Sequence, residues 1–170
     1  MLFRSKIIVK HTLLDDPLVR DGLLARFVAQ GVAEENITCL GSTERAEHLR
    51  AFANVDISLD PFPQNGGIST WESLYAGVPV VAKLGNGASS RAGASIVTAV
   101  GLGDWVAEDD KGYIEIACKY AAQPDQLAKL RADLPAQIAA SPAGNVEIYT
   151  RRVEAGYRQF WRDYCSSMTP

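Results

Sequence analysis

The feature that most constrains the fold is a change of hydrophobic period that recurs along the N-terminal half. Lys6 to Lys10 contains Ile7, Ile8 and Val9, a short apolar run suited to a strand covered on both faces. Asp16-Pro17 then offers an N-cap and a proline at the first helical position, where its missing N–H costs nothing. Behind it Leu18/Val19, Leu23/Leu24 and Phe27/Val28 form a helical stripe, which Gly31 ends. Asn36 to Leu40 reads as a second strand, and Ser42 and Thr43 are expected to cap a helix carrying Ala46, Leu49, Phe52 and Ala53 on one face. Asp56 to Asp60 is a third strand, Ile68 to Tyr75 a short helix and Val78 to Lys83 a fourth strand. Strand–helix alternation with short connections predicts parallel strands joined by right-handed crossovers, hence a doubly wound α/β sheet. Helices follow over Arg91 to Val100, Lys111 to Ala122, Asp125 to Ala140 and Val146 to Tyr164, with Trp105 to Ala107 as a short edge strand.

Composition narrows the function classes. A chain of 170 residues suits one domain with a proper core, here 1–170. With 17 basic and 20 acidic side chains the formal charge is −3, which gives no footprint for nucleic acid. The longest candidate for a membrane span, Ala92 to Gly103, is too short and glycine-rich, and Met1 to Ser5 lacks a signal-peptide core. Cys39, Cys118 and Cys165 are widely spaced and read as buried free thiols, and two histidines leave little for a metal site. The expectation is a reduced, cytoplasmic chain with no membrane, nucleic acid or metal partner.

Ligands of open parallel sheets bind beyond the carboxyl ends of the strands. That rule selects Gly41 to Arg45, Pro61 to Ser69 and Leu84 to Ser90, each feeding a helix with a serine or threonine at its expected cap: Ser42/Thr43, Ser69 and Ser89/Ser90. Helix N-termini with free N–H groups suit a phosphate or diphosphate. The richest loop runs Asp60-Pro-Phe-Pro-Gln-Asn-Gly-Gly-Ile-Ser-Thr-Trp-Glu72. Asn65, Gly66 and Gly67 allow close backbone approach, Ser69 and Thr70 add hydroxyls, and Glu72 sits where two oxygens can grip a ribose diol. Ser69-x-x-Glu72 also fits a capping box, which needs no ligand and leaves one carboxylate oxygen free. No Gly-x-Gly-x-x-Gly or Walker lysine motif supports a dinucleotide or P-loop reading. Lys83 and Arg91 are candidate phosphate cations or ordinary surface ion pairs; His11 reads as a solvent-facing turn residue.

Glu47-His48-Leu49-Arg50, Asp56-Ile-Ser-Leu-Asp-Pro-Phe-Pro, Asn65-Gly-Gly-Ile-Ser-Thr-Trp-Glu-Ser-Leu-Tyr-Ala-Gly-Val-Pro-Val-Val and Ser90-Arg-Ala-Gly-Ala-Ser, in that order, resemble the C-terminal catalytic lobe of the O-linked N-acetylglucosamine transferase and Spindly-like family. The resemblance runs from about Ser5 to Tyr164. It implies a Rossmann-like C-terminal lobe of a two-lobed GT-B glycosyltransferase, binding a nucleotide-sugar donor and acting on a protein or peptide acceptor, without metal. No Asp-x-Asp occurs. It implies Thr43 and His48 at the base, Arg45 in place of a lysine near the ribose, Gly66, Gly67, Ile68, Ser69 and Thr70 around the diphosphate, and Glu72 on the ribose. Gly67 and Ile68 stand where animal members have histidine and threonine, and plant and bacterial relatives often share the glycine, so Ile68 is the departure. Without the resemblance His48 reads as a surface or packing residue. The N-terminal lobe, the first βα unit of this lobe with its diphosphate lysine, the general base and the tetratricopeptide array have no counterpart here, so a fragment inactive by itself is expected. Segment 141–170 is then a helix crossing to the missing lobe, its Tyr157, Phe160 and Trp161 exposed, with dimerisation or poor solubility as the consequence.

UDP-N-acetylglucosamine is the donor expected first, with GDP-fucose and UDP-glucose as alternatives. A non-catalytic nucleotide- or protein-binding module with the same fold is the reading from another class. A response-regulator-like domain is disfavoured, because the first strand lacks paired acidic residues at its end.

Overall fold

A computed structural model describes residues 5–168; Met1 to Arg4, read above for a signal segment, lie outside them. The chain divides into two compact units, the first closing at Ala51 and the second opening at Phe52.

In the first unit, strands β1 (Ile7–Lys10) and β2 (Ile37–Leu40) pair in parallel, Ile7 opposite Ile37 and Lys10 opposite Leu40. Between them runs α1 (Pro17–Ala29), whose first turn is built as expected: Asp16 Oδ1 accepts from the Leu18 amide at 2.8 Å, with Pro17 at N1. Gln30 closes the helix and Gly31 follows with φ +84°. The apolar stripe of α1 is present but encloses nothing fully, with Leu23, Leu24 and Phe27 half-buried and Leu18 exposed. β1 is half-buried along its length rather than covered on both faces; among the described residues of this unit only Leu14 and Ile37 are buried. An apolar concavity of about 500 Å³ lies between Val9, Leu14, Leu18 and Leu23. The unit ends in α2 (Arg45–Ala51).

The second unit holds a three-stranded parallel sheet in the order β3 (Ser58–Leu59), β4 (Val80–Lys83), β5 (Val106–Ala107). Its helices are α3 (Ile68–Tyr75), α4 (Ala92–Ala99), α5 (Asp110–Ala121), α6 (Pro124–Ala140) and α7 (Val146–Ser167). The ladder begins later than the apolar run Val78 to Lys83 because Pro79 has no N–H; only its carbonyl takes part, accepting from Ser58 at 2.9 Å. The core gathers Leu74, Val80, Val81, Ala82, Val97, Leu134 and Ile138 around β4, with Trp105 stacked on Tyr120 at 4.0 Å. Pro135 sits inside α6 and cannot bond the Arg131 carbonyl. Gly77 meets that carbonyl, where a Cβ would stand 2.8 Å from it, with φ +76°. Arg131 in turn ties α6 to the start of β3, donating to the Val55 carbonyl at 2.6 Å and to Asp56 at 2.7 Å.

Two expectations are corrected by this packing. The cysteines are not buried: Cys118 and Cys165 are exposed and Cys39 half-buried, because the helices carrying the first two turn those faces outward. The expected caps are not where the hydroxyls are. Glu44 precedes α2 and its carbonyl takes the His48 amide, Gly67 precedes α3 and Arg91 precedes α4. α7 buries none of its residues, and Tyr157, Phe160 and Trp161 are exposed. No helix among the described residues is long and apolar enough to cross a membrane.

Leu134 is fully enclosed. Leu134→Ala is expected to destabilise the second unit by about 2–5 kcal/mol, the cost of lost burial plus a cavity, read as a lower urea midpoint at unchanged slope.

Candidate functional site

Because β3 and β4 are parallel, both end at the same edge of the sheet, and the loops that leave them run side by side. The Asn65 amide donates to the Ser89 carbonyl at 2.9 Å, joining the loop after β3 to the loop after β4. The second loop is closed by Gly85 donating to Ser90 at 2.8 Å and by Ser90 Oγ, which bonds both the Gly87 amide and carbonyl. Ser90 therefore shapes a tight turn instead of capping α4.

The first loop is fastened from below by Asp60, buried at 4% exposure. Its Oδ1 accepts from the Gly66 amide at 2.9 Å and from the Thr70 hydroxyl at 3.3 Å. A Cβ at Gly66 would stand 2.7–2.8 Å from Thr70 Oγ1, Asp60 Oδ1 and Ser69 Oγ, so this close approach belongs to glycine. Asn65 folds its side chain back, donating to the Pro61 carbonyl at 3.0 Å. Burial pushes the Asp60 carboxyl above its ordinary range, against the opposing pull of the Gly66 amide and the Thr70 hydroxyl. Tyr113 donates to the Asp60 carbonyl at 2.9 Å, and burial followed by the Asp60 charge raises its phenol.

Helix α3 begins at Ile68 with no side chain accepting at its cap. Its first intrahelical bond runs from the Trp71 amide to Gly67 at 3.2 Å, so the amides of Ile68, Ser69 and Thr70 precede the helical ladder. Ser69 therefore lies inside the first turn, and the capping box expected from Ser69 and Glu72 does not form at that register. Gly67, Ile68 and Ser69 are exposed, Thr70 is buried on Asp60, and Glu72 is half-buried one turn on. The two cations proposed for phosphate are engaged within the unit. Lys83 bonds Asp110 at 2.5 Å and lies 3.8 Å over the Phe62 ring, and Arg91 donates to the Gly85 carbonyl at 3.1 Å.

In the first unit the strand ends are tied in the same manner. Lys10 donates to the Gly41 carbonyl at 2.8 Å and to Thr43 Oγ1 at 2.7 Å. Asp15 takes the Ser42 amide at 2.9 Å and the Ser42 hydroxyl at 2.5 Å. Ser42 and Thr43 thus anchor the loop that the sequence had them capping. Arg45 and His48 lie one turn apart on α2, Arg45 exposed and His48 half-buried. His11, exposed, accepts from the Leu13 amide at 3.1 Å as a turn residue.

The profile of the family described as Glycosyl transferase family 41 matches residues 12–153. The chain belongs to glycosyl transferase family 41. Relatives include the rice protein described as a probable UDP-N-acetylglucosamine–peptide N-acetylglucosaminyltransferase SPINDLY, 41% identical over 73% of this chain and 13% of its own length. The Arabidopsis thaliana protein of the same description is 38% identical, again over 73% of this chain and 14% of its own length. A mutant of the Thermobaculum terrenum O-GlcNAc transferase matches in structure with TM-score 0.87 and 29% identity, over 99% of this chain and 32% of that one. The chain thus spans a small part of the relatives it matches. Its parallel sheets flanked by helices are the Rossmann-like GT-B fold that the motifs implied.

Asp60, Tyr113, Lys10 and Asp15 received no role in the sequence analysis. Asp60 and Lys10 had one legible signal: each closes a strand on the ligand edge. Asp15 is held below the ordinary 3.8 by the Ser42 hydroxyl first and the Ser42 amide second. Since the folded value is depressed, the stabilisation is present above 3.8 and is lost as pH falls through the folded value. Ser42→Ala is expected to return the Asp15 titration toward 3.8, followed by carboxyl chemical shifts against pH.

Proposed function

We propose that this chain is the nucleotide-sugar-binding part of a protein glycosyltransferase that moves N-acetylglucosamine from UDP-N-acetylglucosamine to protein hydroxyls. The observation that supports it most directly is the start of α3. There an exposed Gly67–Ser69 segment, without a capping side chain, follows a loop fixed to its neighbour. Unbonded amides and the positive end of the helix dipole suit a diphosphate. The descriptions of the rice and Arabidopsis relatives support the choice of sugar and nucleotide.

In transfer, the bond between the anomeric carbon and the diphosphate oxygen breaks while the acceptor oxygen bonds that carbon. Charge grows on the departing diphosphate. The amides of Gly67, Ile68 and Ser69 are preorganised for that charge, and preorganised donors act more strongly in the transition state than in the ground state. Glu72, one turn further on, takes the ribose hydroxyls. For the first unit, base recognition by Thr43, Arg45 and His48 rests on the family resemblance. The diphosphate is held without metal in this reading; the acceptor hydroxyl belongs to the protein substrate, and any general base that takes its proton comes from the missing lobe or the substrate.

The engagement of Lys83 by Asp110 and of Arg91 by Gly85 favours a second reading, a nucleotide- or protein-binding module without transfer. Calorimetric titration with UDP, GDP and NAD separates the donor-binding reading from a module that binds protein alone. UDP is expected to bind, unaffected by EDTA, and Glu72→Ala to weaken it about 10- to 100-fold, the range for a hydrogen bond to a charged group. A GDP preference moves the donor to fucose, and an absence of binding to all three nucleotides contradicts the donor-binding reading.

A further inference from the structure

We propose that Asp60 is the positioning residue of the α3 start: from the buried end of β3 it holds the Gly66 peptide and the Thr70 hydroxyl inward, keeping Gly67, Ile68 and Ser69 at the surface for an anionic ligand. The proposal rests on the donor-binding reading above and adds a residue to it. Four hydrogen bonds converge on this one residue. Its amide donates to the Val81 carbonyl at 2.9 Å, continuing the ladder of β3 with β4. Its carbonyl accepts from the Tyr113 hydroxyl of α5 at 2.9 Å. With the backbone fixed on both sides, Oδ1 is a stationary acceptor, and the Gly66 amide and Thr70 hydroxyl meet it from the two ends of the segment that turns into α3. Exposure follows that pattern, Thr70 buried and Ile68 76% exposed two residues earlier.

The second oxygen shows how closely the post is fitted. Oδ2 is buried with no hydrogen-bond partner, and so is Asn65 Oδ1. Both side chains border Gly93 of α4, where a Cβ would stand 2.0 Å from Asp60 Oδ2 and 3.3 Å from Asn65 Cβ. Glycine at 93 is therefore the space in which the carboxyl sits. The positioning needs one acceptor and no charge, so an amide of the same shape serves it as well, keeping the acceptor while removing a buried charge.

The test compares the 170-residue chain with Asp60→Asn, Asp60→Ala and Gly93→Ala, by amide hydrogen exchange and by UDP titration. In Asp60→Ala the Gly66 amide is expected to exchange about 10- to 100-fold faster while Val81 on β4 keeps its protection, and UDP affinity to fall about tenfold or more. Asp60→Asn is expected to restore both. Gly93→Ala, which displaces the carboxyl without removing it, is expected to expose Gly66 in the same way and serves if Asp60→Ala does not fold. Unchanged Gly66 protection in Asp60→Ala, or an Asp60→Asn variant as impaired as Asp60→Ala, overturns the proposal. If the parent chain binds no UDP, the donor-binding reading fails, and the exchange pattern still decides what Asp60 holds.

Discussion

A carboxyl placed out of water at the end of a parallel strand must find donors or give up its charge. Asp60 finds the Gly66 amide and the Thr70 hydroxyl, and its own carbonyl finds Tyr113. Those three bonds reach the loop after β3, the first turn of α3 and the first turn of α5. The core around Val80, Val81 and Ala82 holds the strands beneath, so the loop is hung from the most enclosed part of the second unit. Phe62 extends the arrangement: Lys83 covers its ring at 3.8 Å and Tyr113 meets it edge-on at 5.3 Å between centroids. The segment that faces solvent is thus built on a base that does not.

Much of the architecture was legible because burial writes a local period into the sequence. Ile68–Tyr75 is helical over the residues its pattern indicated, and Asp16 with Pro17 starts α1 as read. Strand ends were less legible. Ile57 belongs to the apolar run, yet β3 is Ser58–Leu59, and the run at Val78 enters the ladder only after Pro79.

The candidate loop could be read from its glycines and its place after β3; the partners of its hydroxyls could not. Ser42, Thr43, Ser69 and Ser90 all had the spacing of caps. A hydroxyl bonds whichever donor or acceptor the fold brings near, and Asp15, Lys10 and Gly87 took three of them. Asp60 and Asp56 look alike in sequence, bounding the same apolar run. One is buried among donors and the other meets Arg131 at an exposed position, a difference made by which strand end reaches the ligand edge.

What the fold offers chemically is a set of backbone donors at the head of α3, fixed before any ligand arrives. Preorganisation of this kind spares the reorganisation that water would need as charge develops on a leaving diphosphate. Amide shift mapping of the 15N-labelled chain during titration with UDP tests this most directly. The largest shifts are expected at Gly67, Ile68 and Ser69, with uridine alone leaving those amides nearly unmoved. Shifts of equal size with uridine, or a perturbed surface elsewhere with these three amides silent, would contradict a preorganised diphosphate site at the head of α3.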